Sequence, residues 1–240
     1  MNWVMLRGLG RHSDHWGNFS EHMRHEFGEI MLINLPGIAG ETNNVPISIS
    51  QITDHIRKEF LANKGDKEWG ILAISLGGMI ALDWVDRYPE DFKQIVTINS
   101  SSRSTSHFYE RMQPMAIISI LKSVFTANVR KREENVLKLT CNLMPITDQV
   151  LDRAVEIANK MTIDKKIFFK QLFAATKFVT PKELKIPYTV LAAEGDRLAS
   201  VNCSKALAKH FHAPIVIHPS AGHDLPSDDP DWIINELKKL

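Results

Sequence analysis

Short apolar runs alternate with amphipathic stretches at both ends of this chain, and that alternation constrains the fold more than any other feature. Trp3 to Leu6 stops at Gly8 and Gly10, and Ile30 to Leu35 stops at Pro36-Gly37. Trp69 to Ile74, Phe92 to Ile98, Tyr188 to Ala193 and Pro214 to Ile217 are further runs of the same kind. Continuous apolar runs bounded by Gly and Pro read as strands buried on both faces. Between them lie segments with helical spacing: Asp14 to Phe27, a stretch carrying Ile52, Ile56 and Phe60 behind Ser48 or Ser50, Gly77 to Tyr88, Cys203 to Phe211 and Pro230 to Leu240. Strand and helix in turn predict an α/β fold, a mostly parallel central sheet with helices on both faces.

The alternation breaks at Ser100-Ser101-Ser102. From there to about Pro181 only helical candidates occur: Met115 to Phe125, Glu133 to Cys141, Gln149 to Lys160 and Lys165 to Phe178. The expected organisation is a core built from residues 1–102 and 183–240, interrupted by a helical insertion at 103–182.

Composition excludes several classes. With 240 residues and a formal net charge of +1, the chain offers no broad charged surface for nucleic acid or an anionic membrane. Arg130-Lys131-Arg132 is followed at once by Glu133-Glu134 and reads as a solvated helix face. Two cysteines, Cys141 and Cys203, are too few for a disulfide scaffold and lack zinc-site spacing, so two reduced thiols are expected. No secretory signal or membrane-length apolar run is visible, which points to the cytoplasm and to no membrane insertion. Lys238-Lys239-Leu240 reads as the basic close of a helix.

The sharpest local signal is Ala73-Ile74-Ser75-Leu76-Gly77-Gly78, where a strand runs into a helix. A serine nucleophile at such a junction sits in a tight, strained turn that lifts its hydroxyl above the sheet. Small residues are then needed two positions before and after it, which Ala73 and Gly77 supply. The same residues also suit plain helix capping, so the serine needs partners: a base within reach and an acid that orients the base.

Ten histidines compete for the base. His223 stands out because Ser220-Ala221-Gly222-His223-Asp224 follows the last strand, and parallel sheets carry their sites at the carboxyl ends of strands. By the same rule Asp196, after the Tyr188 to Ala193 strand, is the acid; Glu194 is its rival, and Gly195 marks the turn that aims Asp196. The loop after Ile98 offers Asn99 and serines but no carboxylate. The order Ser75, Asp196, His223 is the nucleophile–acid–histidine order expected on this kind of sheet.

These residues, with Leu6-Arg7-Gly8-Leu9-Gly10, Trp16, Asn34-Leu35-Pro36-Gly37, Gly195-Asp196 and Gly222-His223, give the chain a resemblance to the lidded esterase group of α/β-hydrolases. Its layout is similar to that of the pimeloyl-carrier-protein methyl ester esterases. The resemblance implies a cofactor-free, metal-free serine hydrolase acting on a small apolar acyl substrate. It implies an oxyanion hole from the backbone N–H groups of Leu9 and Leu76, and makes 103–182 a lid. The chain departs from the family pattern at Arg7, where histidine is usual, at Ala73, where glycine is usual, and at Asn34, where an acid is usual.

Arg7 reads in two ways, as a receptor for an acidic substrate group or as a structural ion pair. The insertion's apolar residues favour an acyl chain or aromatic ring, and Phe108, Met112 and Phe169, with Trp16 from the core, are the candidate substrate contacts. Lys165, Lys166, Lys170 and Lys177 read as a solvated face. Ester, thioester, lactone and carbon–carbon hydrolysis all suit the same three residues. A binding module that keeps the fold without turnover is the reading from another class.

Overall fold

A computed structural model describes residues 1–38, 45–160 and 165–240. Its strands are β1 (Asn2–Leu6), β2 (Ile30–Ile33), β3 (Trp69–Ile74), β4 (Ile95–Ile98), β5 (Tyr188–Ala193) and β6 (Ile215–His218). They form one sheet in the order β2-β1-β3-β4-β5-β6, and every neighbouring pair is parallel.

Helices α1 (Asn18–Phe27), α2 (Ile49–Asn63) and α3 (Leu76–Arg87) connect the first strands. Between β4 and β5 lie α4 (Phe108–Arg111), α5 (Pro114–Phe125), α6 (Val129–Thr140), α7 (Asp148–Lys160) and α8 (Lys165–Lys177). Helices α9 (Val201–Phe211), α10 (Leu225–Asp228) and α11 (Pro230–Leu237) complete the chain. The described residues between β4 and β5 are thus helical where they are regular, as their spacing predicts.

Alternation within each strand divides the core. Val4, Leu6, Ile71, Ala73, Ile95 and Val190 face one side and pack with residues of α2, α3 and α9. Trp3, Met5, Leu72, Ile74, Val96 and Leu191 face the other and pack with Phe19 and Met23 of α1 and Ile233 and Leu237 of α11. Both faces are apolar because both are covered.

The expected helix from Asp14 is divided in two. A short 3-10 turn over Ser13–Trp16 ends at Gly17, whose φ of +52° breaks the path before α1 begins. β4 is shorter than its apolar run, because Phe92 leaves the strand to pack beside Phe60 and Trp84, with ring centroids 5.1 Å from each.

The order of strands reverses between β1 and β3. The loop after β1 and the junction after β3 therefore lie side by side at the carboxyl edge, where open α/β sheets place their ligands.

Candidate active site

Ser75 occupies the β3–α3 junction with φ +57° and ψ −119°, a backbone conformation that costs about 1–3 kcal/mol for a residue with a side chain. The surroundings hold it there. Ser75 N–H donates to Ile98 O at 2.9 Å, and Ser100 Oγ donates to Ser75 O at 2.8 Å. A Cβ at Gly77 would stand 2.6 Å from Leu6 O, so only glycine lets α3 approach the end of β1 this closely.

Asp196 and His223 come from the loops after β5 and β6. Asp196 Oδ1 accepts from Leu198 N–H at 2.7 Å and Ala199 N–H at 2.9 Å, while Oδ2 lies 2.6 Å from His223 Nδ1. A carboxylate so placed takes a third donor, which assigns the imidazole hydrogen to Nδ1 and leaves Nε2 as the basic nitrogen. Ser75 Oγ and His223 make no hydrogen bond with each other in this structure, although both line one cavity.

Three residues that the sequence did not single out position these loops. Asn99, itself at φ +48°, accepts from Ala193 N–H at 2.8 Å and donates to His223 O at 2.9 Å. It ties the end of β5 to the histidine loop. Asn142, after α6, donates to Gly195 O at 2.9 Å and Ser220 O at 3.1 Å, joining the acid and histidine loops. Asp228 accepts from Gly222 N–H at 2.6 Å and from the N–H groups of Asn142, Leu143 and Met144. The close approach of Asn142 and of Ala221 O leaves no room for a Cβ at Gly195. That crowding, not a left-handed turn, is why glycine precedes Asp196.

The cavity has a volume of about 710 Å³. Its wall is largely apolar, with Met79, Ile117, Val124, Leu139, Phe168 and Leu172 among its residues. Leu9 and Leu76 also line it, and the backbone N–H of neither donates to a protein acceptor among the described residues.

The expected substrate contacts divide. Phe108 and Met112 line the cavity. Phe169 does not: it is 41% exposed on the outside of α8, whereas Phe168, Leu172, Ala175 and Thr176 of that helix line the cavity with Lys165. One residue along a helix turns the side chain by about 100°, enough to exchange the two faces. Trp16 is not a lining residue either; it is buried in the core with Phe19, centroids 5.7 Å apart.

Of the two readings of Arg7, the structure contains the ion pair. Its guanidinium meets Asp224 in a bidentate bridge at 2.9 and 2.7 Å and lies 4.8 Å above the Trp16 ring. Burial opposes the charge on Asp224, but Arg7 outweighs it and holds the carboxyl below its ordinary range. Both cysteines are buried and unpaired, and burial pushes the Cys141 thiol up to about 12. No helix among the described residues is long and apolar enough to cross a membrane.

The chain is 25% identical over 234 residues to the pimeloyl-[acyl-carrier protein] methyl ester esterase of Wigglesworthia glossinidia brevipalpis, covering 93% of this chain and 86% of that protein. It is 23% identical to the enzyme of the same name from Salmonella typhimurium, covering 91% and 89%. Among solved structures, a lipase candidate from Acinetobacter baumannii AYE superposes with a TM-score of 0.80 at 22% identity, covering 99% of this chain and 82% of that one. A carboxylesterase from Bacillus subtilis gives 0.74 at 14% identity, covering 99% and 82%. The profile of the family described as serine aminopeptidase, S33, matches residues 4–230, and the chain belongs to that family of α/β-hydrolases.

Proposed function

We propose that this enzyme, a hydrolase acting on esters, cleaves a small or medium apolar carboxylic ester through an acyl-enzyme on Ser75. The observation that carries the reading is one apolar cavity lined by both Ser75 and His223, with the histidine held by Asp196 at 2.6 Å. The family's description as aminopeptidases and the relatives' names as esterases share one chemistry, acyl transfer to a serine.

In this mechanism Ser75 Oγ attacks the ester carbonyl and its proton passes to His223 Nε2. The N–H groups of Leu9 and Leu76 donate to the oxygen that becomes negative, each worth about 3 kcal/mol to the transition state. The tetrahedral intermediate collapses, and the departing alcohol takes the proton from His223. Water then attacks the acyl-enzyme, gives a proton to His223, and the acid leaves as that proton returns to Ser75. The Ser75–His223 hydrogen bond closes when substrate fills the cavity, as is common for sites that are loose when empty. Residues 103–182 act as the lid, whose apolar lining receives the acyl chain.

Chromogenic acyl esters of increasing chain length test this. Wild-type turnover that disappears in Ser75→Ala is expected. Full activity in the variant would exclude the mechanism, and no turnover of any ester by the wild type would favour thioester or carbon–carbon substrates or a binding role.

A further inference from the structure

The cavity is lined by six cationic side chains, Arg7, Arg11, Arg103, Arg111, Arg132 and Lys165, but by only two carboxylates, Asp224 and Glu133. Asp224 is taken up by Arg7, and Glu133 by Arg11 at 3.2 Å and Arg132 at 3.1 Å. Lys165 lies 4.7 Å over the Phe125 ring. Arg103 and Arg111 have no carboxylate partner among the described residues.

Arg111 is held firmly without one. Its Nη2 donates to Ala175 O at 2.6 Å and lies 4.0 Å from Met79 Sδ, and its Nε donates to Ser101 Oγ at 3.3 Å. Nη1 has no hydrogen-bond partner among the described residues. Glu110 beside it is engaged with His107 N–H at 3.1 Å. Burial and the charge of Arg103 both disfavour the Arg111 cation, a cost that an incoming anion would relieve. Met79 is one turn along α3 from Ser75, so the guanidinium stands within a short acyl chain of the nucleophile.

We propose that Arg111, assisted by Arg103, is an oxyanion subsite, so that the preferred substrate is an ester whose far end carries a carboxylate or phosphate. This rests on the esterase reading and narrows its substrate to an apolar acyl chain that ends in an anion. A fixed guanidinium with an open donor suits both groups, and hydrogen bonds to charged partners are the strong ones.

The test compares kcat/KM for monomethyl esters of succinate, glutarate and adipate with methyl esters of uncharged acids of matching length, in wild type, Arg111→Gln, Arg111→Lys and Arg103→Gln. The wild type should favour an acid-ended ester, and Arg111→Gln should lose about 10- to 100-fold on it. Neutral esters should change less than about threefold, which also shows that the variant folds, and Arg111→Lys should recover part of the loss. Inhibition of neutral-ester hydrolysis by glutarate or by inorganic phosphate separates the two anions. Equal treatment of charged and neutral esters by wild type and Arg111→Gln would overturn the subsite and leave the esterase reading intact. If the wild type cleaves no ester, that reading fails, and calorimetric titration with glutarate and with inorganic phosphate decides the subsite: weaker binding to Arg111→Gln supports it, equal affinity overturns it.

Discussion

The two walls of the cavity are built differently. On one side, polar atoms with fixed partners join the insertion to the core. Asp228 gathers four N–H groups from the turn after α6 and from the histidine loop. Gln171 of α8, fully buried, accepts from Gly10 N–H at 3.2 Å and donates to Pro36 O at 3.3 Å. On the other side, α5 shows solvent an apolar face, with Met115 72%, Ile118 60% and Phe125 65% exposed. Its ties to the core gather just before its start, where Gln113 N–H donates to Leu198 O at 2.9 Å and its side chain to Asp196 O at 2.8 Å. Buried hydrogen bonds specify one arrangement, because losing any of them leaves a desolvated group unpaired. Exposed apolar faces specify little. The tethered wall is therefore the more firmly specified of the two.

The largest effect expected from breaking this contrast is at Arg7. Arg7→Ala strands the buried Asp224 and should cost about 3–5 kcal/mol in denaturant unfolding, whereas joint Arg7→Met and Asp224→Leu should lie much closer to wild type. The carboxyl of Asp224 sits below its ordinary value of 3.8 in the folded protein, so its contribution is complete above that pH and is lost as pH falls through the folded value. The double variant should lack that part of the acid-induced loss. Asp228→Ala comes next: four N–H groups lose their acceptor, which should cost about 2–4 kcal/mol and lower kcat through a looser histidine loop. An unchanged kcat would show that this tether does not position His223.

Gln171→Ala should cost about 1–2 kcal/mol in the same unfolding measurement. His15 gives a smaller, pH-dependent signal. Burial, then Arg11 and Arg7, hold its imidazole well below the ordinary 6.5. The unfolded chain binds that proton first, so stability should fall as pH drops below about 6.5, and His15→Gln should flatten the slope there. Least of all, Met115→Ser or Phe125→Ser should move stability by no more than about 0.5 kcal/mol. A large loss at either would mean that the α5 wall is as firmly specified as the other.

The sequence made the strands and the three candidate residues legible for local reasons. β3 and β5 span the residues expected, because continuous apolar runs end abruptly at turn residues. Ser75 is expected from its motif at a strand–helix junction, Asp196 and His223 from the rule that chemistry gathers at the carboxyl ends of strands, and the sheet brings all three loops to that edge. What stayed hidden depends on distant partners. Nothing near Arg7 announces Asp224, 217 residues away. Asn99 looked only like a missing carboxylate until its contacts to β5 and the histidine loop were seen. On α8, the buried stripe runs through Ile167, Gln171, Ala174 and Ala175, and a glutamine at its centre concealed the helix phase that puts Phe168 inside and Phe169 outside.

The central claim is that Ser75 is the nucleophile. Treating the protein with a fluorophosphonate and mapping the adduct by peptide mass spectrometry tests it most directly. The account predicts one phosphonyl group, on Ser75, absent in Ser75→Ala and formed much more slowly in His223→Ala. Modification of another residue, or an unmodified Ser75 under conditions that label a known serine esterase, would contradict it.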